Sequence, residues 1–164
     1  MRIVVSREIP GCKGFWANDD GSITKPNGET TLGNLNSGGY FRIQINYKVY
    51  KVHRLIALAW VENPRPEIFI QVDHIDCNEH NNRPENLRWL TQQLNALNSR
   101  GLNSSFAKHK KWIARYSFNG KRFHLGQFKT FLEAHKVGRA GRDKCFKMEY
   151  ERLCAGGNIN NNKQ

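Results

Sequence analysis

Residues 72–98 read VDHIDCNEHNNRPENLRWLTQQLNALN, a carboxylate beside an imidazole followed by six asparagines. An imidazole that titrates near neutrality can take a proton from water at cellular pH. Carboxylate and amide oxygens are hard donors of the kind Mg²⁺ and Mn²⁺ prefer. Asparagine is a poor residue for strand and helix interiors. So many in one window means either a polar surface loop or a set of amides holding something in place. The elements around the window must decide.

Upstream, YFRIQINYKVYKVH alternates, with Phe41, Ile43 and Ile45 on one face and Arg42 and Gln44 on the other, the pattern of a half-buried hairpin. HRLIALAWVENP is predicted helical and stops at Pro64 and Pro66. IFIQVDHID reads as a short strand ending at Asp73-His74, and NLRWL as a second strand across the asparagine-rich loop. Thr91 is placed to cap a helix TQQLNALNS through its hydroxyl. Residues 1–37 look loop-rich and only weakly strand-like. Asn95 lies four residues beyond the cap, so a strand end, a loop and a helix have the means to converge on one point.

This order and spacing resemble the HNH nuclease family, whose core is a β-hairpin and helix clasping one divalent metal. The matching residues are Asp73-His74, Asn86 in ENLRW and Asn95 in TQQLNALN, across residues 50–98. Asn95 stands where the family usually has a second histidine, a variant similar to the phage homing endonucleases of HNH type. VHRLIALAWVENP also resembles the segment those enzymes carry before the site. The resemblance implies catalytic roles for His74, Asp73, Asn86 and Asn95. His74 would be general base for phosphodiester hydrolysis, Asp73 and Asn95 would be ligands to one Mg²⁺ or Mn²⁺, and Asn86 would brace the loop that aims His74. Any one of these residues alone favours a polar cluster that merely stabilises a loop; all four at matching spacing favour the site. Asn78, Asn81 and Asn82 are expected to close backbone turns. His80 is expected on the surface, Trp89 and Leu94 in the core, and His53 in a structural hydrogen bond. Arg54, Arg83 and Arg88 could touch phosphate, though each alone reads as surface charge.

Past the polar stretch 98–105, WIARYSF and KRFHLGQF flank Asn119-Gly120, a strong signal for a type I′ hairpin turn. TFLE at 130–133 has capping-box spacing and opens a basic helix to about residue 150. Gly138 and Gly141 weaken that helix by roughly 1 kcal/mol each relative to alanine. Trp112, Ala114, Arg115, Leu125, Gly126, Phe128 and Ala134 resemble the APETALA2-type DNA-binding module. That family lays a small sheet in the major groove. The face carrying Ile113, Arg115 and Ser117, with Lys121, Arg122 and His124 from the partner strand, is the one expected to meet DNA. Lys110, Lys111 and Arg42 are added as DNA-contact candidates. A basic hairpin and helix touching only the DNA backbone is the blander reading.

The chain carries a net charge of +12 over 164 residues. Residues 1–98 hold 11 Lys/Arg against 10 Asp/Glu, whereas residues 99–152 hold 14 against 4. Such asymmetry points to a polyanion, with double-stranded DNA the leading candidate. LIALAWV at 55–61 is far too short to span a bilayer, and no membrane partner or secretory leader is expected. Cys12, Cys77, Cys145 and Cys154 form no close pairs, so reduced thiols are expected rather than a zinc site or disulfides. The fold class expected is α+β. A ββα-metal HNH core, preceded by a β-hairpin region, occupies 1–98 with its motif at 70–98, and 99–105 is a linker. A small sheet-and-helix module follows at 106–152, and 153–164 is a disordered tail. One site per chain implies nicking by a monomer, with a double-strand cut needing a weak dimer or rebinding. By resemblance, the place of action is a bacterial host's cytoplasm. Alternatives are a non-catalytic DNA-binding regulator on an inert nuclease scaffold, and an RNA-binding or RNA-cleaving protein.

Overall fold

Short apolar pieces punctuated by glycine, asparagine and aspartate make short strands, and the amino-terminal region is built from them. The computed structural model of the protein describes residues 3–98, 104–106 and 111–157. Strands β1 (Ser6–Glu8), β2 (Trp16–Asn18), β3 (Ile23–Thr24) and β4 (Thr30–Thr31) form an antiparallel sheet in sequence order. The loop-rich reading of 1–37 therefore gives way to a meander. Its strands are two or three residues long, too short for alternation to register in the sequence. Asn18, almost fully buried, holds the meander together by donating to the hydroxyls of Ser22 and Thr24 at 2.9 Å each.

A second sheet joins β5 (Asn34–Leu35), β6 (Phe41–Ile45) and β7 (Lys48–Lys51). Asn46 and Tyr47 turn the β6–β7 hairpin with φ of 47° and 64°, the left-handed pair a two-residue loop requires. Ile43 and Ile45 are buried and Arg42 and Gln44 exposed, as the alternation predicts. The chain then passes directly into α1 (Val52–Trp60). Val52, Leu55 and Ile56, spaced i, i+3, i+4, are fully buried, because that spacing places them on one stripe. The Trp60 indole donates to the Ala17 carbonyl at 2.9 Å and fixes the helix to the meander.

Strands β8 (Gln71–His74) and β9 (Leu87–Leu90) pair as a two-stranded sheet, with one 3₁₀ turn at Pro84–Asn86 before β9. Helix α2 (Gln92–Asn98) follows, and the Thr91 hydroxyl accepts from the Leu94 N–H at 3.2 Å, as the cap requires. Trp89 and Leu94 are core residues. The chain divides into two compact units, Met1–Trp89 and Leu90–Gln164.

In the second unit β10 (Ser104–Phe106), β11 (Trp112–Phe118) and β12 (Lys121–Phe128) form an antiparallel sheet, and α3 (Phe131–Cys154) packs on it and on α2. Two residues expected in the linker, Ser104 and Ser105, thus pair with Ala114 and Ile113. The linker's 99–103 and the tail's 158–164 lie outside the described residues. Asn119 and Gly120, with φ of 48° and 72°, make the predicted hairpin turn. Thr130 and Glu133 make the predicted capping box. The helix runs four residues beyond the expected end, because Leu153 is buried and holds its last turn in place.

The helix glycines have a packing role that propensity does not show. A Cβ on Gly141 would come within 2.5 Å of Leu125 Cδ1 and 3.3 Å of Tyr116 Cε1. Ala134 and Gly138 are buried on the same helix, so small residues at i, i+4 and i+7 let α3 approach the sheet. Gly141→Val is expected to lower the stability of the second unit by about 1–3 kcal/mol through overpacking. Urea unfolding of the full chain measures this; an unchanged midpoint would show the sheet can move aside.

Candidate active site

His74 ends β8 and is buried, with Asp73 before it almost equally so. Arg88, opposite on β9, places both Nε and Nη2 at 2.9 Å from Asp73 Oδ2. Arg88 is therefore a partner of the site carboxylate rather than free surface charge. Arg54 donates twice, at 3.1 Å, to the Ile70 carbonyl and lies over the Trp89 ring, whereas Arg83 is exposed beside Glu85. Around the His74 imidazole stand the rings of His53, at 5.0 Å and edge-on, and Tyr40, at 6.3 Å.

The loop between β8 and β9 is cross-braced through Asp76, a residue to which the sequence motif assigns no role. Its Oδ1 accepts from the Asn78 N–H at 2.7 Å and from Asn86 Nδ2 at 2.9 Å, and its Oδ2 accepts from Asn81 Nδ2 at 2.8 Å. Asn86 also donates to the Asn81 carbonyl at 2.8 Å and accepts from the Asp76 N–H at 3.1 Å. The Ile75 N–H donates to the Asn86 carbonyl at 2.9 Å. Asn86 thus ties both ends of the loop together. Desolvation of the Asp76 carboxylate opposes ionisation, but the hydrogen bonds from Asn81, Asn78 and Asn86 outweigh it and lower its pKa. An acidic residue two positions after a histidine, among amides, was the available signal.

The remaining asparagines divide. Asn78 closes a turn by accepting from the His80 N–H at 3.2 Å, as expected. Asn81 instead donates its side chain to Asp76, and Asn82 Oδ1 sits 3.0 Å from His74 Nε2. These two corrections arise because the Asn81 amide reaches across the loop to Asp76 and the Asn82 amide turns to the buried His74. Asn82 is brought inward by Gly21, whose φ is +90°; a Cβ there would lie 2.8 Å from the Asn82 carbonyl carbon. His80 is exposed, with the Phe41 ring 5.5 Å away between ring centres and tilted to it.

His53 corrects another expectation. It is buried, but its Nδ1 makes no hydrogen bond. Burial, with the neighbouring His74, Lys51 and Arg54, pushes its pKa down to about 3, so the ring is neutral.

Asn95 sits on α2, in the second unit, half-buried with its N–H bonded to the Thr91 carbonyl. Among the described residues no three His, Cys, Asp or Glu side chains gather as a metal cage. A carboxylate with an amide oxygen is a donor set suited to a hard cation that keeps several waters. None of the four cysteines is in a disulfide. Among the described residues no helix is long and apolar enough to cross a membrane.

The exposed sheet face of the second unit follows from its register. Arg115 pairs with His124 and Ser117 with Arg122, so these four share a face, with Ile113 and Gln127 beyond a bulge at Ala114/Arg115. Lys121 pairs with Phe118 and so falls on the opposite face, not with Arg122 as expected. Adjacent residues of one strand cannot share a face. Lys111 is exposed at the sheet margin, Arg42 is exposed on β6, and Lys110 lies outside the described residues.

Residues 50–97 match a family model described as HNH endonuclease. The chain is 36% identical over 111 residues to DNA endonuclease I-HmuI of Bacillus phage SP01, covering 62% of this chain and 63% of that protein. It is 35% identical over 96 residues to an uncharacterized HNH endonuclease, L247, of Acanthamoeba polyphaga mimivirus, covering 54% of this chain and 24% of the relative. The chain therefore spans less than two thirds of either relative's length. A solved structure described as DNA binding and cleavage by the HNH homing endonuclease I-HmuI matches with a TM-score of 0.50 and 30% identity, over 57% of this chain and 56% of that one.

Proposed function

We propose, from the homology of residues 50–97 to HNH endonucleases, that this protein hydrolyses a phosphodiester bond of double-stranded DNA with the help of one divalent cation. The observation that carries the reading is His74, buried and held beside Asp73 on the hairpin that the Asp76–Asn86 clasp closes. His74 accepts a proton from water, the resulting hydroxide forms the new P–O bond, and the bond to the 3′ oxygen breaks. Asp73 and Asn95 are the residues assigned to Mg²⁺ or Mn²⁺, which when bound relieves charge on the phosphate and the leaving oxygen. Arg88 orients Asp73, and Asn86 keeps the loop closed.

The second unit is proposed as an APETALA2-like DNA-binding module, supported by its three-stranded sheet under one helix and by the basic excess of 99–152. Arg115, Arg122 and His124 are assigned to the contact face, with Lys111 at the sheet margin adding a backbone contact. Supercoiled plasmid bearing the target, incubated with Mg²⁺, is expected to become nicked, since each chain carries one site. EDTA is expected to stop the cut while gel-shift binding persists. One observation favours the inert-scaffold alternative: Arg88 already occupies Asp73 Oδ2. Binding without cleavage in either Mg²⁺ or Mn²⁺ would decide for that alternative.

A further inference from the structure

Asp73 and Arg88 form an ion pair that the stability of the hairpin does not explain. Arg88 Nε and Nη2 both lie 2.9 Å from Asp73 Oδ2, and the Asp73 side chain is only 10% exposed. A well-packed apolar pair between β8 and β9 would hold the two strands as firmly as a buried ion pair does. Asp73 is therefore kept for what its oxygens do, and under the endonuclease reading those oxygens hold a divalent cation. An ionised carboxylate taken out of water needs a counter-charge whenever no such cation is bound. Arg88, whose guanidinium stays charged throughout the accessible pH range, supplies one. The same charge bears on the cation. A divalent ion on Asp73 would share the carboxylate with a guanidinium a few ångströms away, and like charges at that range repel strongly in a partly buried site. The Arg88 side chain is 23% exposed, so it has solvent to swing into where Asp73 has almost none.

We propose that Arg88 is a positioning residue that serves as the stand-in counter-charge of Asp73 and competes with the divalent cation for it. The ion pair then sets the metal concentration at which the site fills. Two effects of Arg88 run in opposite directions: its hydrogen bonds orient the carboxylate, and its charge weakens the hold of that carboxylate on a cation. Competition by charge is the stronger of the two. The choice of Asp73 as a metal ligand rests on the endonuclease reading; the competition is a matter of binding alone and needs no cleavage to be seen.

Mn²⁺ binding to the full chain without DNA tests this, read from the paramagnetic resonance signal of free Mn²⁺. Glutamine is the discriminating substitution, because its amide nitrogen takes the place of the arginine Nε and can donate the same hydrogen bond without the charge. Arg88→Gln is expected to bind Mn²⁺ about tenfold more tightly than the wild-type protein, the lower end of the range that neighbours of a metal-ligating group exert. Arg88→Lys, which keeps the charge, is expected to stay close to wild type. Without metal, Arg88→Gln is expected to unfold several degrees below the wild-type protein. Saturating Mn²⁺ is expected to narrow that gap, since tighter binding stabilises more at the same metal concentration. Equal or weaker binding by Arg88→Gln overturns the proposal and leaves Arg88 an orienting group only. So does a gain in Arg88→Lys as large as in Arg88→Gln, since charge would then not be the cause. Asp73→Asn is expected to bind Mn²⁺ far more weakly; wild-type binding by that variant would place the cation elsewhere and sink the proposal with the ligand assignment. A protein that binds Mn²⁺ in the expected order yet never cuts DNA defeats the endonuclease reading and upholds the competition. Should Arg88→Gln not fold without metal, folding on addition of Mn²⁺ supports the proposal and failure to fold with it overturns it.

Discussion

Replacing His74 with alanine is expected to slow Mg²⁺-dependent nicking by roughly 10²–10⁴-fold, the usual contribution of a positioned general base. DNA affinity at fixed salt should hardly change, because the face proposed to contact DNA, with Arg115, Arg122 and His124, lies in the other compact unit. The split matters more than the loss. A variant that merely unfolds loses binding and cutting together, whereas removal of the base spares binding. His74 is buried and bonded to Asn82, so the substitution also leaves an amide oxygen without a partner, at about 1–3 kcal/mol. Thermal unfolding of the variant therefore belongs with the kinetics. Cleavage by folded His74→Ala at the wild-type rate would remove His74 from the chemistry.

What the sequence revealed was mostly local. The β6–β7 hairpin showed in the alternation of Phe41, Ile43 and Ile45, the second hairpin in Asn119-Gly120, and the last helix in Thr130 and Glu133. Each is a rule that acts over a few residues, so the chain states it openly. The β1–β4 meander escaped because strands of two or three residues carry no period. Gly138 and Gly141 were weighed only against helix propensity, because the sheet they approach belongs to distant sequence.

Within the site, spacing identified the residue types but not the wiring. Six asparagines of one chemistry fall between 78 and 98, and nothing in their spacing says which amide reaches which partner. That is set by the path of the loop, including Cys77 at φ 57°. The family resemblance implied that Asn86 braces the loop, and Asn86 does clasp it. The contact to the imidazole went instead to Asn82, and the hub to Asp76. Lys121 is a different kind of miss, since strict alternation from Arg122 already excludes it from that face.

His53 makes stability depend on pH in a way that separates it from the carboxylates. Its pKa falls from 6.5 to about 3 on folding, chiefly because burial disfavours the charged ring. The unfolded chain therefore binds this proton more readily. The contribution is fully present above pH 6.5 and is lost as pH falls from there toward about 3. Across that window unfolding should ease by about 1.36 kcal/mol per pH unit from this group alone, an order-of-magnitude slope. His53→Phe keeps an aromatic ring against Tyr40 and His74 but has nothing to titrate. Urea unfolding from pH 7 to 4 is expected to show the wild-type protein losing stability more steeply than His53→Phe by about that slope. Parallel pH profiles for the two proteins would mean that His53 is protonated inside the fold, and that its buried Nδ1 has found a partner.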